Sequence, residues 1–126
     1  MTEANKFYTR ILTKKEIEVV IDGLPALIQG LVGDFILSVE YGSHCNIHDD
    51  LQYKPMEVGL SWLDRFLAES IDQRIFVPAE SDFSITTPGG GLEILFCHES
   101  DIHLSGKDES LLRRATQSGL IGPLIK

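Results

Sequence analysis

The chain has 126 residues and a formal net charge of −8, with 43% of its residues hydrophobic and 24% charged. This length and balance are typical of one globular domain spanning residues 1–126, and they exclude a disordered chain. The acidic charge and the scattered basic residues exclude nucleic acid as a direct partner. No apolar run approaches the roughly 20 residues of a membrane span, and the first residues lack an export signal. We therefore expect a cytoplasmic protein without membrane association.

The first predicted element is a helix over residues 14–32. Thr13 and Glu16 have the spacing of a capping box, in which each residue satisfies a free N–H group of the other. From Ile17 to Leu31, apolar residues recur at helical spacing, so that one face is apolar. Pro25 lacks a backbone donor and clashes with the preceding turn. We therefore predict that the helix is interrupted at Pro25, as two short helices or as one kinked helix.

A strand and a second helix are predicted next. Residues 35–41 alternate between apolar and polar side chains, which is typical of a strand with one buried face. A polar loop follows. Pro55 is well placed to begin a helix over residues 56–72, whose apolar residues again repeat at helical spacing. Residues 74–77 form a short strand candidate that ends at Pro78.

The last third of the chain predicts a hairpin, a short helix and an apolar tail. Strands 82–87 and 92–98 flank the turn residues 88–91, and Asp108 caps a helix over residues 109–117. The tail 119–126 is apolar enough to dock on the core or on a second copy, as a homodimer. We thus predict an α+β fold in which the helices pack on a small, mostly antiparallel sheet.

All four histidines and both cysteines fall in two short windows, residues 44–49 and 97–103. Imidazole and thiolate groups bind transition metals, and imidazole transfers protons near neutral pH. The windows predict a metal-binding domain or a metal-dependent hydrolase for zinc or another divalent transition metal, with Glu99 as general base. The windows supply nine donors: His44, Cys45, His48, Asp49, Cys97, His98, Glu99, Asp101 and His103. We single out six of them as metal candidates: His44, Cys45, His48, His98, Asp101 and His103.

Strand direction decides whether the two windows meet. If strand 35–41 runs parallel to strand 82–87, the windows lie at opposite ends of the sheet and no joint site forms. If strand 35–41 instead runs parallel to strand 92–98, both windows lie at one end. Both arrangements fit the sequence. The alternative to a site is structural, with Cys97 filling the core and the histidines ending strands.

The leading functional hypothesis is a non-enzymatic interaction protein of bacterial type that binds a basic protein and needs no cofactor. The chain has no nucleophile elbow, and neighbouring strand residues such as Cys97 and His98 face opposite ways. In size, acidity and mixed helix–strand pattern it resembles the immunity proteins of toxin–immunity pairs. That resemblance implies an acidic face that covers a basic toxin. A disulfide between Cys45 and Cys97 is not favoured in the cytoplasm.

Overall fold

Residues 6–33, 35–47 and 50–126 are described by a computed structural model of the chain. They form three helices and one six-stranded sheet, which confirms the predicted α+β class. The strands are β1 Lys6–Tyr8, β2 Ile36–Tyr41, β3 Met56–Gly59, β4 Phe83–Thr86, β5 Glu93–Phe96 and β6 Ile102–Ser105. The helices are α1 Lys14–Val32, α2 Leu60–Asp72 and α3 Glu109–Thr116.

The strands lie in the order β1-β6-β5-β4-β2-β3, and every neighbouring pair is antiparallel. Both β2 and β5 pair with β4 in the antiparallel sense, so β2 and β5 run in the same direction. Their carboxyl ends therefore lie at one end of the sheet, together with the start of β4.

One face of the sheet packs against the helices. Alternate strand residues such as Val39, Phe83 and Ile94 are almost fully buried, and they share a core with the apolar faces of the helices. Phe76 and Phe83 stack with ring centroids 4.9 Å apart in this core. Burial of this apolar surface is the main force that holds the helical layer on the sheet.

Helix α1 is one helix that continues through Pro25, so the first of the two predicted forms, a pair of short helices, is wrong. The helix begins with the predicted capping box, because Glu16 N–H donates to Thr13 Oγ1 at 3.1 Å and Thr13 N–H donates to Glu16 Oε1 at 2.9 Å. Its buried residues extend on both sides of the proline, from Ile17 to Ile28. Packing along this continuous apolar face outweighs the one backbone hydrogen bond that proline removes.

The other differences concern short strands. Residues 56–59 form β3 beside β2, so α2 begins at Leu60 and not at residue 56. Residues 74–77 form a turn in which Phe76 is buried, not a strand. Strands β1 and β6 were not predicted. The equally short β4 and β5 were predicted because the glycine-rich turn between them marks a hairpin, whereas β1, β3 and β6 lack such a turn and depend on their pairing across the sheet.

The opposite face of the sheet is not covered by any helix of the described residues. Cross-strand partners point to the same side of a sheet, and the pairs Ser38–Glu57, Glu40–Ser84 and Leu95–His103 connect the exposed side from β3 to β6. We call this surface the open face. Its residues are Lys6, Tyr8, Ile36, Ser38, Glu40, Glu57, Gly59, Ser84, Thr86, Glu93, Leu95, His103 and Ser105.

The apolar tail docks on the chain's own core. Ile121 is fully buried, Leu124 and Ile125 pack against the core, and Thr9 and Ile125 form a β-bridge. A homodimer that shares this tail stays a prediction. None of the helices among the described residues has the length and apolar character needed to cross a bilayer.

Candidate functional site

The two histidine–cysteine windows meet at one end of the sheet. Because β2 and β5 run in the same direction, the loop after Tyr41 and the loop after Phe96 emerge side by side. The rings of His44 and His98 contact each other, with centroids 4.4 Å apart. Of the two arrangements that fit the sequence, the structure has the convergent one.

Asp82, the residue before β4, links the two windows. In the first window, the Cys45 thiol donates a hydrogen bond to the Asp82 carbonyl at 3.1 Å, and Gly42 N–H donates to the same oxygen at 2.9 Å. In the second window, the backbone N–H and the ring Nδ1 of His98 both lie within hydrogen-bonding distance of Asp82 Oδ1, at 2.7 and 2.8 Å. The carboxylate and the main chain of one residue therefore hold both loops.

A second cluster adjoins this contact through Cys97. His103 Nε2 lies 3.1 Å from Asp101 Oδ2, and the His103 ring packs edge-on against Tyr8 at 4.7 Å between centroids. Cys97 is buried and belongs to two groups of potential metal ligands, one with Asp82 and His98 and the other with Asp101 and His103. Within each group the ligand atoms all lie within 4.8 Å of one another.

The geometry does not favour a cysteine nucleophile. His98 Nδ1 lies 2.8 Å from Asp82 Oδ1 and 4.0 Å from Cys97 Sγ, so the nitrogen that faces the thiol already donates to the carboxylate. A general base would need a free nitrogen there. Burial raises the pKa of the Cys97 thiol, and burial also raises the pKa of Cys45. Both thiols are therefore protonated near neutral pH, which is the unreactive form.

Each predicted site residue in the described part of the chain has a definite place. His44, Cys45 and His98 meet around Asp82, whereas Asp101 and His103 form the adjoining cluster. Glu99 is exposed on the turn between β5 and β6 and lines a polar pocket of about 460 Å³ beside that cluster. His48 and Asp49 lie outside the described residues.

Sequence reasoning missed Asp82 because it considered only the two windows. The available signal was its position, an acid at the first residue of the predicted strand 82–87, which in the structure lies between the two window-bearing strands. In an antiparallel sheet, a strand that lies between two others begins at the end where its neighbours finish. An acidic residue at that point can accept hydrogen bonds from the loops on both sides.

A groove borders the open face at the end of the sheet opposite to the windows. Its volume is about 870 Å³, and its lining includes Ile36, Glu57, Trp62 and the turn residues Pro88 and Gly89. The Trp62 side chain is 58% exposed, and its ring lies 5.4 Å from the Arg65 guanidinium carbon. An exposed aromatic residue beside a polar sheet surface is typical of protein-binding sites.

We predict that the stabilisation provided by the His98–Asp82 contact depends on pH. The hydrogen bond to Asp82 raises the pKa of His98 above its ordinary value of about 6.5. The contact therefore stabilises the fold fully below a pH of about 6.5, and its contribution is lost as the pH rises through the raised pKa of the folded state. We expect an NMR titration of the His98 ring to give a raised pKa that falls in Asp82→Asn.

Glu99→Gln is the matched control for this titration, because Glu99 acts on His98 through charge alone and does not bond to the ring. We expect a smaller decrease of the His98 pKa in this variant than in Asp82→Asn. Equal His98 pKa values in the wild-type protein and in Asp82→Asn would show that the Asp82 carboxylate does not bond to the His98 ring.

The described residues thus combine a convergent cluster of histidine, cysteine and acid side chains with an uncovered sheet face. Comparison with models of protein families, with curated proteins and with solved structures finds no match to this chain.

Proposed function

We propose that this protein is a small acidic interaction domain of the cytoplasm, of bacterial type, that binds a basic protein through the open face of its sheet. The observation that carries the proposal is the charge of that uncovered face. Glu40, Glu57 and Glu93 lie on it, and among its described residues Lys6, at the far edge, is the single lysine or arginine.

The shape of the open face supports a protein partner. Its central positions are short hydroxyl residues, Ser38, Ser84 and Thr86, so the longer glutamate side chains extend beyond the residues around them. Glutamates that extend from a broad sheet surface can be reached by the side chains of a folded partner. Lysine or arginine side chains of the partner would pair with the glutamates, which steers association and fixes orientation.

The apolar border of the open face supplies the other part of a binding surface. Phe35, Ile36 and Trp62 are 50%, 60% and 58% exposed, and all three line the groove at this end of the sheet. Interfaces combine such apolar anchors, which provide most of the affinity, with a polar surround. An inhibitor of a basic enzyme, as in toxin–immunity pairs, is one form of this function.

The test compares two triple variants with the same charge change. The open-face triple is Glu40→Gln, Glu57→Gln and Glu93→Gln, and the control triple is Glu18→Gln, Asp22→Asn and Asp72→Asn, which are exposed acids on the helices. Each triple removes three negative charges from −8, which leaves −5. Each protein is immobilised and exposed to a lysate of the source organism at low salt, and a captured protein is then purified for titration.

We expect the wild-type protein and the control triple to capture the same basic protein and the open-face triple to lose it. Three exposed charge pairs at roughly 0.5 kcal/mol each predict a loss of about tenfold in affinity. Capture alone does not support the proposal. Equal affinities of the two triples, or a captured protein that is acidic, would contradict it.

A further inference from the structure

Asp101 presents a buried carboxylate oxygen that has no partner among the described residues. Its Oδ1 atom is buried and accepts no hydrogen bond from the described residues, while its Oδ2 atom faces His103 Nε2 at 3.1 Å. The Asp101 side chain as a whole is 15% exposed. An unsatisfied buried polar atom is destabilising, and the effect is larger when the group is charged. A bound cation beside the carboxylate would remove this cost.

The turn between β5 and β6 brings two further potential metal ligands, the Cys97 thiol and the His103 ring, close to Asp101. Cys97 N–H donates to the Asp101 carbonyl at 2.9 Å, and Ser100 N–H donates to the Cys97 carbonyl at 3.0 Å, which closes the turn. Ser100 adopts a left-handed backbone with φ of 73°. His103 follows Asp101 by two residues and lies on the open face. The donor atoms of Cys97, Asp101 and His103 lie within 4.8 Å of one another.

We propose that Cys97, Asp101 and His103 form a binding site for a divalent transition metal, with Zn²⁺ as the expected ion. A thiolate, an imidazole and a carboxylate match the ligands that zinc prefers, whereas magnesium and calcium select oxygen donors alone. This site rests on its own contacts and does not depend on the proposed binding of a basic protein.

The three donors are close enough together to reach one zinc ion after small side-chain movements. Bonds of about 2.0–2.3 Å in a tetrahedron place neighbouring ligand atoms about 3.3–3.8 Å apart. His103 Nε2 and Asp101 Oδ2 lie 3.1 Å apart, slightly closer than this range, and all three donor atoms lie within 4.8 Å of one another. Zinc binding would release the thiol proton of Cys97 to the buffer, and the Nε2 proton of neutral His103 would move to Nδ1 so that Nε2 could bind the ion.

The fourth coordination position would face the polar pocket beside the cluster. Asp101 and His103 line this pocket together with Tyr8, Arg10 and Glu99. Three protein ligands with one open position are typical of zinc sites that hold a water molecule or an exchangeable ligand. The arrangement places Glu99 at the same pocket, where it is exposed to solvent.

The neighbouring group of Asp82, Cys97 and His98 is the natural control. Asp82 Oδ1 already accepts from the His98 backbone and ring at 2.7 and 2.8 Å, so the hydrogen bonds of this pair are made without an ion. Both groups share Cys97. Variants of the other residues therefore distinguish the two groups while keeping the buried thiol.

The experiment uses the full chain after treatment with a chelator. Co²⁺ is titrated in first, because a thiolate-to-cobalt charge-transfer band reports directly on a cysteine ligand, and Zn²⁺ then competes for the site. The site variants are Asp101→Asn and His103→Ala, and the controls are Asp82→Asn and His98→Ala. Circular dichroism checks that each variant is folded. If Asp101→Asn is unfolded, the metal affinity of His103→Ala alone tests the site.

We expect the wild-type protein to bind one equivalent of metal and to show the thiolate band. Loss of a direct ligand in either site variant should weaken Zn²⁺ binding by about 100-fold or more, because loss of outer-shell partners alone costs 10–100-fold. The controls should bind as the wild-type protein does. Absence of the thiolate band, or loss of binding in His98→Ala but not in His103→Ala, would overturn the proposal.

Discussion

Replacing Gly106 by alanine is expected to lower the free energy of unfolding by about 2–6 kcal/mol. Gly106 has φ of +156° and lies against the hairpin turn between β4 and β5. An added Cβ would overlap the Gly91 carbonyl and would lie 2.8 Å from Leu92 Cα, and neither backbone atom can move freely. Backbone strain of roughly 1–3 kcal/mol adds to overpacking of roughly 1–3 kcal/mol.

The close approach at Gly106 is fixed by hydrogen bonds on its carboxyl side. Lys107 N–H donates to the Gly90 carbonyl and Asp108 N–H donates to the Gly91 carbonyl, both at 3.1 Å. These bonds attach the start of α3 to the hairpin and so fix the helical layer on β5 and β6. Relief of the overlap would require these bonds to break.

Gly30→Ala is the control for this prediction. Gly30 is exposed in α1 and has no atom within 4 Å of the added Cβ, so alanine there should raise stability by about 0.5–1 kcal/mol. Urea denaturation of both variants measures the two effects. A loss below about 1 kcal/mol in Gly106→Ala, the lower limit of either contribution, would contradict the packing of β6 against the hairpin.

Trp62→Ala should weaken binding of the basic partner by about 30-fold while leaving the fold intact. Trp62 is exposed in the first turn of α2 and lines the groove beside the open face. An aromatic anchor at an interface is worth about 2 kcal/mol or more. Within the free protein the substitution removes only its exposed contact with Arg65, worth about 0.5–1 kcal/mol.

Val19→Ala provides the comparison, because Val19 is also exposed, at 56%, but lies on α1 in the helical layer. Calorimetric titration with the captured basic protein should give the same affinity for Val19→Ala as for the wild-type protein. If Trp62→Ala binds equally well, the groove is not part of the interface.

The helices were predicted well because their signals are local. The capping box at Thr13 and the cap at Asp108 act within four residues, and the predicted starts at residues 14 and 109 are confirmed. The division into two short helices at Pro25 was wrong, since the penalty of one proline is local while the packing that outweighs it comes from the whole core. Propensity and tertiary burial compete at this residue, and burial prevails.

The sheet was predicted less completely because strand pairing is not local. The sequence of Met56–Gly59 continues the helical pattern of α2, and only its pairing with β2 makes it a strand. The convergence of the two windows has the same origin. It follows from β4 lying between β2 and β5, an order that the alternation of single strands does not contain.

The two proposals concern one surface of the molecule. His103 belongs to the open face and is also a ligand in the proposed zinc site, at the end of the sheet opposite to the groove with Trp62. A metal there would leave the three glutamates unchanged. The separate variants of the glutamates and of the metal ligands therefore test the two functions independently.

Methyl NMR of the complex with the captured basic protein tests most directly whether the open face is the binding surface. Ile36 and Leu95 carry methyl groups on that face, whereas Val19 and Ala26 carry exposed or partly exposed ones on α1. We predict that the Ile36 and Leu95 signals shift or broaden on binding and that the α1 signals stay in place. Shifts confined to Val19 and Ala26 would place the partner on the helical layer and contradict the proposed function.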